Sequence, residues 1–170
     1  MTTHSNETTR SVNTSPGRRR LYWIWLLLFY PAWLLLELLH EAGHVLHALL
    51  SGGTRIKIHL PLLGFSRTDV GINPHPLFVA IGGAIWGCIL PVLFAVAIPR
   101  SWSRLRMTAF AFAGLCSIAN GAYLAVGWVD RVGDAGDLMR HGLPVWALIG
   151  IGASMIVSGL WMWHRLNLPA

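Results

Sequence analysis

Residues 77–98 (LFVAIGGAIWGCILPVLFAVAI) contain no Asp, Glu, Lys, Arg or His. A helix over this run is apolar all round, and about 20 such residues are what a bilayer crossing needs. Three more apolar runs, 21–50, 107–129 and 144–163, meet the same length requirement. Composition agrees: 54% of the 170 residues are hydrophobic and 12% charged, against about 25% charged in soluble domains. A mostly disordered chain, a disulfide-stapled secreted miniprotein and a conventional soluble enzyme are thereby excluded. Cys88 and Cys116 both lie inside apolar runs and read as small buried residues. The expected fold is an all-α polytopic membrane protein with about four transmembrane helices.

Residues 1–17 are rich in Ser, Thr and Asn, so residues 1–20 read as a disordered tail ending in Arg18-Arg19-Arg20. Residues 21–170 then form a single transmembrane domain. A signal peptide also has a basic-then-apolar layout, but it ends at a small-residue cleavage site. The run here reaches Leu39 without one and reads as a retained span, with Pro31 as a possible kink. Gly83 and Gly87 in the second run, and Gly114 and Gly121 in the third, offer small faces for close helix packing.

Gly52-Gly53 ends the first run. Residues 54–60 (TRIKIHL) alternate polar and apolar, residues 61–64 turn, and residues 65–72 (FSRTDVGI) alternate again. This pattern predicts a small β-hairpin between the first and second spans. The net charge of +6 does not point to nucleic acid, because the cations flank apolar segments as membrane topology places them. With four spans, one side carries Arg10, Arg18, Arg19, Arg20, Arg100, Arg104, Arg106 and Arg165, and the other Arg55, Lys57, Arg67, Arg131 and Arg140. That asymmetry predicts a multi-pass protein of the cell membrane with a cytoplasmic N-terminus.

The chemically informative string is His40-Glu41-Ala42-Gly43-His44, at the end of the first run. On a helix, His40 and His44 share a face one turn apart and can reach one ion. Glu41 beside them can face a water held by that ion. With 8 His and 3 Glu in 170 residues, chance would produce this pattern roughly 0.006 times. Ionisable residues at membrane depth are costly and functional by default. The alternative is a set of polar residues marking a helix end. Two histidines leave a zinc tetrahedron short of a protein ligand. Asp130, Asp134 and Asp137 are the candidates, because the first and third spans run the same way and end at the same face. Each could also be an ordinary solvated acid.

The HEAGH string on an early membrane helix, the Gly-Gly and hairpin stretch, and an aspartate after the next-but-one span resemble the site-2 protease class of zinc intramembrane metalloproteases, in its short, minimal form. The resemblance spans residues 21–163. It implies one zinc per chain held by His40, His44 and an aspartate, with Glu41 as catalytic base. Gly133-Asp134-Ala135, followed by Leu138 and Pro144, resembles the short relatives' Asp-Ala pattern, which favours Asp134, with Asp137 as the alternative. Larger members carry a Leu-Asp-Gly string that is absent here. They also open their site to the cytosol, whereas the charge asymmetry places HEAGH at the opposite face.

Glu37 shares the histidines' helical face and could orient a ligand imidazole. His47, one turn beyond His44, could substitute as a ligand, donate to the site or mark the helix end. Asn120, mid-way along the third run, could bond a substrate strand, support the site or link helices. The hairpin could pair with an extended substrate segment or cap the helix ends. The expected activity is hydrolysis of peptide bonds in a membrane protein or peptide within or near the bilayer. The alternatives are a catalytically silent binding or regulatory protein of the same fold and a metal transporter or sensor. Oligomeric state is open.

Overall fold

The computed structural model describes the backbone of residues 16–166 and side chains from residue 27 onward. Most of the expected tail, residues 1–15, lies outside the described residues. The chain divides between Ala32 and Trp33 into two units. The described part of the first is helical, and the second holds every residue of the candidate site.

Helix α1 (Pro16–Leu50) continues through Pro31. Its end follows from the sequence. Gly52 adopts φ +80°, a conformation a side chain disfavours, and Gly53 N–H then reaches back to Ala48 O at 2.7 Å. This is a Schellman closure of the open helix carbonyls. Ser51 Oγ adds a second bond at 2.7 Å to His47 O, which also accepts the Ser51 N–H.

The expected hairpin is present. Strands β1 (Lys57–His59) and β2 (Arg67–Asp69) pair antiparallel, with Lys57 opposite Asp69, Ile58 opposite Thr68 and His59 opposite Arg67. Thr54 N–H to Ile72 O and Gly71 N–H to Thr54 O, both 2.9 Å, close its base.

Helices α2 (Pro76–Ala97), α3 (Ser103–Val126) and α5 (Val145–Leu166) are long and apolar enough to cross a membrane. Their bounds match the second, third and fourth apolar runs within a few residues. Small residues face inward and large ones outward: Leu93, Phe94, Val157 and Leu160 are exposed. Without a hydrophobic drive between helices in lipid, close backbone approach is what holds them together. On α3 and α5 the approach is reciprocal. A Cβ on Gly121 would stand 2.6 Å from Gly152 O, and one on Gly159 would stand 2.6 Å from Gly114 O. Both pairs are seven residues, or two helical turns, apart on each helix. Trp163 Nε1 adds a bond to Ala111 O at 2.8 Å.

A short helix absent from the sequence reading, α4 (Gly133–Arg140), follows α3. Gly133 adopts φ +57°, and its bare Cα accommodates the Tyr123 hydroxyl. Ala135 and Leu138 of α4 pack with Ala80 and Ala84 of α2, Leu124 of α3 and Leu148 of α5 in one buried cluster. That cluster fixes α4, and with it Asp134, against the bundle.

Candidate metal centre

The sequence places His40, Glu41 and His44 on α1, and all three are buried. Space for the imidazoles comes from α2. Gly43 and Gly82 meet backbone to backbone, a Cβ on Gly82 standing 2.6 Å from Gly43 O, and a Cβ on Gly83 would stand 2.5 Å from His40 Nε2. Gly83 was expected to serve helix packing. It also vacates the volume that the two rings occupy.

Each ring is oriented through Nδ1. His40 Nδ1 lies 2.6 Å from Asn120 Oδ1, and Asn120 is itself fixed by donating from Nδ2 to Cys116 O at 2.9 Å. His44 Nδ1 lies 2.8 Å from Val79 O. Both partners are acceptors, so each imidazole carries its proton on Nδ1 and turns the Nε2 lone pair inward. The two Nε2 atoms are 3.1 Å apart. Asp134 completes the cluster, with Oδ2 2.9 Å from His40 Nε2 and Oδ1 3.2 Å from His44 Nε2.

His40, His44 and Asp134 thus present three ligand atoms that all lie within 4.8 Å of one another, in a buried group able to hold a metal ion. The arrangement fits a cation. Two inward lone pairs and a carboxylate repel one another without a positive charge between them, and Asp134 Oδ2 is buried with no hydrogen-bond donor. Without an ion the site is held differently: burial by itself would raise the Asp134 carboxyl, but protons carried on the facing imidazoles hold it below the usual carboxylate range.

The other candidates lie elsewhere. Asp137 is half-exposed and paired with Arg140, and Asp130 is exposed; neither belongs to the cluster. His47 faces α2. Its Nδ1 donates to Phe78 O at 2.6 Å, its Nε2 accepts from Trp86 Nε1 at 3.0 Å, and its ring stacks on Phe78. Glu37 accepts the Ser66 N–H at 2.7 Å and so binds the hairpin rather than an imidazole. Asn120 both links its helix and orients His40.

Sequence reasoning missed three contributors. Ser66 Oγ donates to Glu41 Oε1 at 2.6 Å, and Thr68 Oγ1 donates to Glu41 Oε2. Tyr123 sets its ring edge-on to His40 at 6.0 Å between centroids and stacks with Phe65, which in turn meets Trp33. The alternation that gave the hairpin is the one signal that touched Ser66 and Thr68, and none marked Tyr123. No protein-family model, curated protein or solved structure matches this chain.

Proposed function

We propose that this chain is a zinc-dependent peptidase of the membrane, with His40, His44 and Asp134 holding one zinc and Glu41 acting as general base. The observation that carries this reading is the convergence of two oriented Nε2 atoms and a buried carboxylate, with a second buried carboxylate next to His40 in the chain. Two histidines and one carboxylate would supply zinc with three protein ligands, the number that catalytic rather than structural zinc takes. When bound, zinc lowers the pKa of a coordinated water and polarises a carbonyl.

The protein's own residues supply the rest. Asn120 and the Val79 carbonyl hold the imidazoles in the ligating tautomer. Helices α2 and α3 exclude bulk water, which strengthens every electrostatic interaction inside. Glu41 removes a proton from water as its oxygen bonds to the substrate's carbonyl carbon. It returns that proton to the amide nitrogen as the C–N bond breaks. One water is consumed, and a carboxyl and an amine are released. A helical substrate must unwind locally, because a hydrogen-bonded helix shields its carbonyls.

In this reading α1 is a fourth span and the N-terminus faces the cytoplasm of a cell membrane. Accessibility labelling of Gly17→Cys and Lys57→Cys, each in a chain lacking Cys88 and Cys116, gives opposite sides. Labelling from one side only would reject the four-span topology.

The deciding experiment compares wild type and Glu41→Gln, purified in detergent and loaded with zinc, on dye-labelled casein as an unstructured probe. Both are expected to hold about one zinc per chain (one open-position catalytic site), and only the wild type is expected to cleave. A zinc-loaded wild type without cleavage would favour the catalytically silent binding protein.

A further inference from the structure

Glu41 is bound from outside its own helix at both oxygens. Ser66 Oγ donates to Oε1 and Thr68 Oγ1 to Oε2, while the Ser66 N–H is held by Glu37 Oε2. Residues 66 and 68 are two apart on an extended segment and point to the same side, about 6.7 Å along it. Glu37 and Glu41 are one turn apart on one face of α1, about 6 Å along its axis. The two side chains converge on the one Glu41 carboxylate, while the Ser66 backbone N–H reaches the neighbouring Glu37. The pairing of Ile58 with Thr68 then fixes the segment from its other edge.

A carboxylate only 2% exposed needs hydrogen-bond donors for its oxygens, and these hydroxyls supply them. They also fix its plane. A carboxylate oxygen has about two lone-pair sites, so one hydroxyl at each oxygen leaves a site on each for a water's proton while preventing rotation about the terminal bond.

We propose that Ser66 and Thr68 are positioning residues for Glu41, holding the base in the orientation that takes the water's proton. The inference rests on the peptidase reading above. It makes the hairpin part of the reaction machinery and not only a cover over helix ends.

The test uses the full chain in detergent, zinc-loaded, with dye-labelled casein as the probe. Ser66→Ala and Thr68→Ala are compared with Ser66→Thr and Thr68→Ser, which keep the hydroxyl. Each alanine variant is expected to lose kcat by on the order of 10- to 100-fold, as small misplacements of reacting groups do, with KM and zinc content unchanged. The hydroxyl-retaining variants recover most of that loss. A second readout is independent of turnover. The infrared carboxylate band that disappears in Glu41→Gln shifts in both alanine variants and returns in the conservative ones. An unshifted band, or a shifted band with unchanged kcat, overturns the proposal. So does loss of zinc from the alanine and hydroxyl-retaining variants alike, since that marks a purely structural role. A zinc-loaded wild type that does not cleave instead removes the peptidase reading and the positioning role with it. A cleaving wild type matched by its alanine variants removes the positioning role alone.

Discussion

Gly83 of α2 faces His40 of α1 so closely that a Cβ there would stand 2.5 Å from Nε2. A Cβ–nitrogen approach of that kind cannot be relieved by rotating a flexible end, because Asn120 holds the far side of the ring. Gly83→Ala is therefore expected to displace the imidazole and weaken zinc binding at least 10-fold, the range in which disturbed support of a ligand acts. Gly150→Ala, where a Cβ meets nothing within 4 Å, serves as the control. Equilibrium dialysis against zinc buffers measures both. Equal affinities would refute the steric assignment.

The ligand set makes a sharper claim about the acidic segment. His44→Ala and Asp134→Asn are expected to abolish stoichiometric zinc, whereas Asp137→Asn is expected to retain it, since Asp137 is engaged by Arg140. Asn120→Ala keeps all three ligands but removes the support of His40, and lowers affinity by about 10- to 100-fold. Zinc analysis of the purified variants distinguishes the three classes. Retention of zinc by Asp134→Asn would show that another group closes the site.

Acidification should act on the metal-free protein through Asp134. Its carboxyl is buried, which alone would raise its pKa, but the facing imidazoles bring it below the ordinary carboxylate value. The unfolded chain then binds the proton more readily, at about pH 3.9. The stability conferred is complete above that value and drains away as pH falls towards the folded value. Thermal melts at about pH 5 and 3, either side of that value, should show a loss in the wild type that is smaller in Asp134→Asn. Identical losses would contradict this account.

The α3–α5 seam predicts overpacking. Gly152→Ala drives a Cβ into the Gly121 carbonyl and Gly159→Ala into that of Gly114, each at a cost of about 1–3 kcal/mol. Gly150→Ala on the same helix should gain up to about 1 kcal/mol, because alanine outranks glycine in helix propensity. Denaturant titration in detergent reads the difference. A destabilised Gly150→Ala alongside a tolerant Gly152→Ala would reverse the assignment.

Much of this was legible before any coordinates. Apolar length alone delimited α2, α3 and α5, and alternation delimited the hairpin, since both signals depend only on local period. The i, i+4 spacing set His40 and His44 on one face. What local period cannot supply is the identity of the surface that a face meets. Glu37 and His47 share roughly the same helical face as the ligands, yet the hairpin claims one through Ser66 and α2 claims the other through Phe78 and Trp86. Helix α4 went unseen because eight residues are too few to display a clear amphipathic period. Its retrospective signals are Asp134 in its first turn, Arg140 in its last and Gly142 at φ +95° just beyond. Asp134 stood apart from Asp137 only through the family resemblance. The physical difference is that one side of this helix packs into the bundle, while the other carries an Asp–Arg pair outward.

The parts that hold the imidazoles and close the cluster come from four places along the chain: α1, Val79, Asn120 and Asp134. During synthesis, a chain that has emerged only through α1 has both histidines but lacks the carboxylate and both orienting acceptors. High-affinity capture of an ion must therefore wait until the segment after α3 has docked. Loading then reports that the whole assembly is complete. A protein stalled or cut before Asp134 would stay metal-poor, so the order of synthesis itself keeps the cluster from assembling in an unfinished molecule.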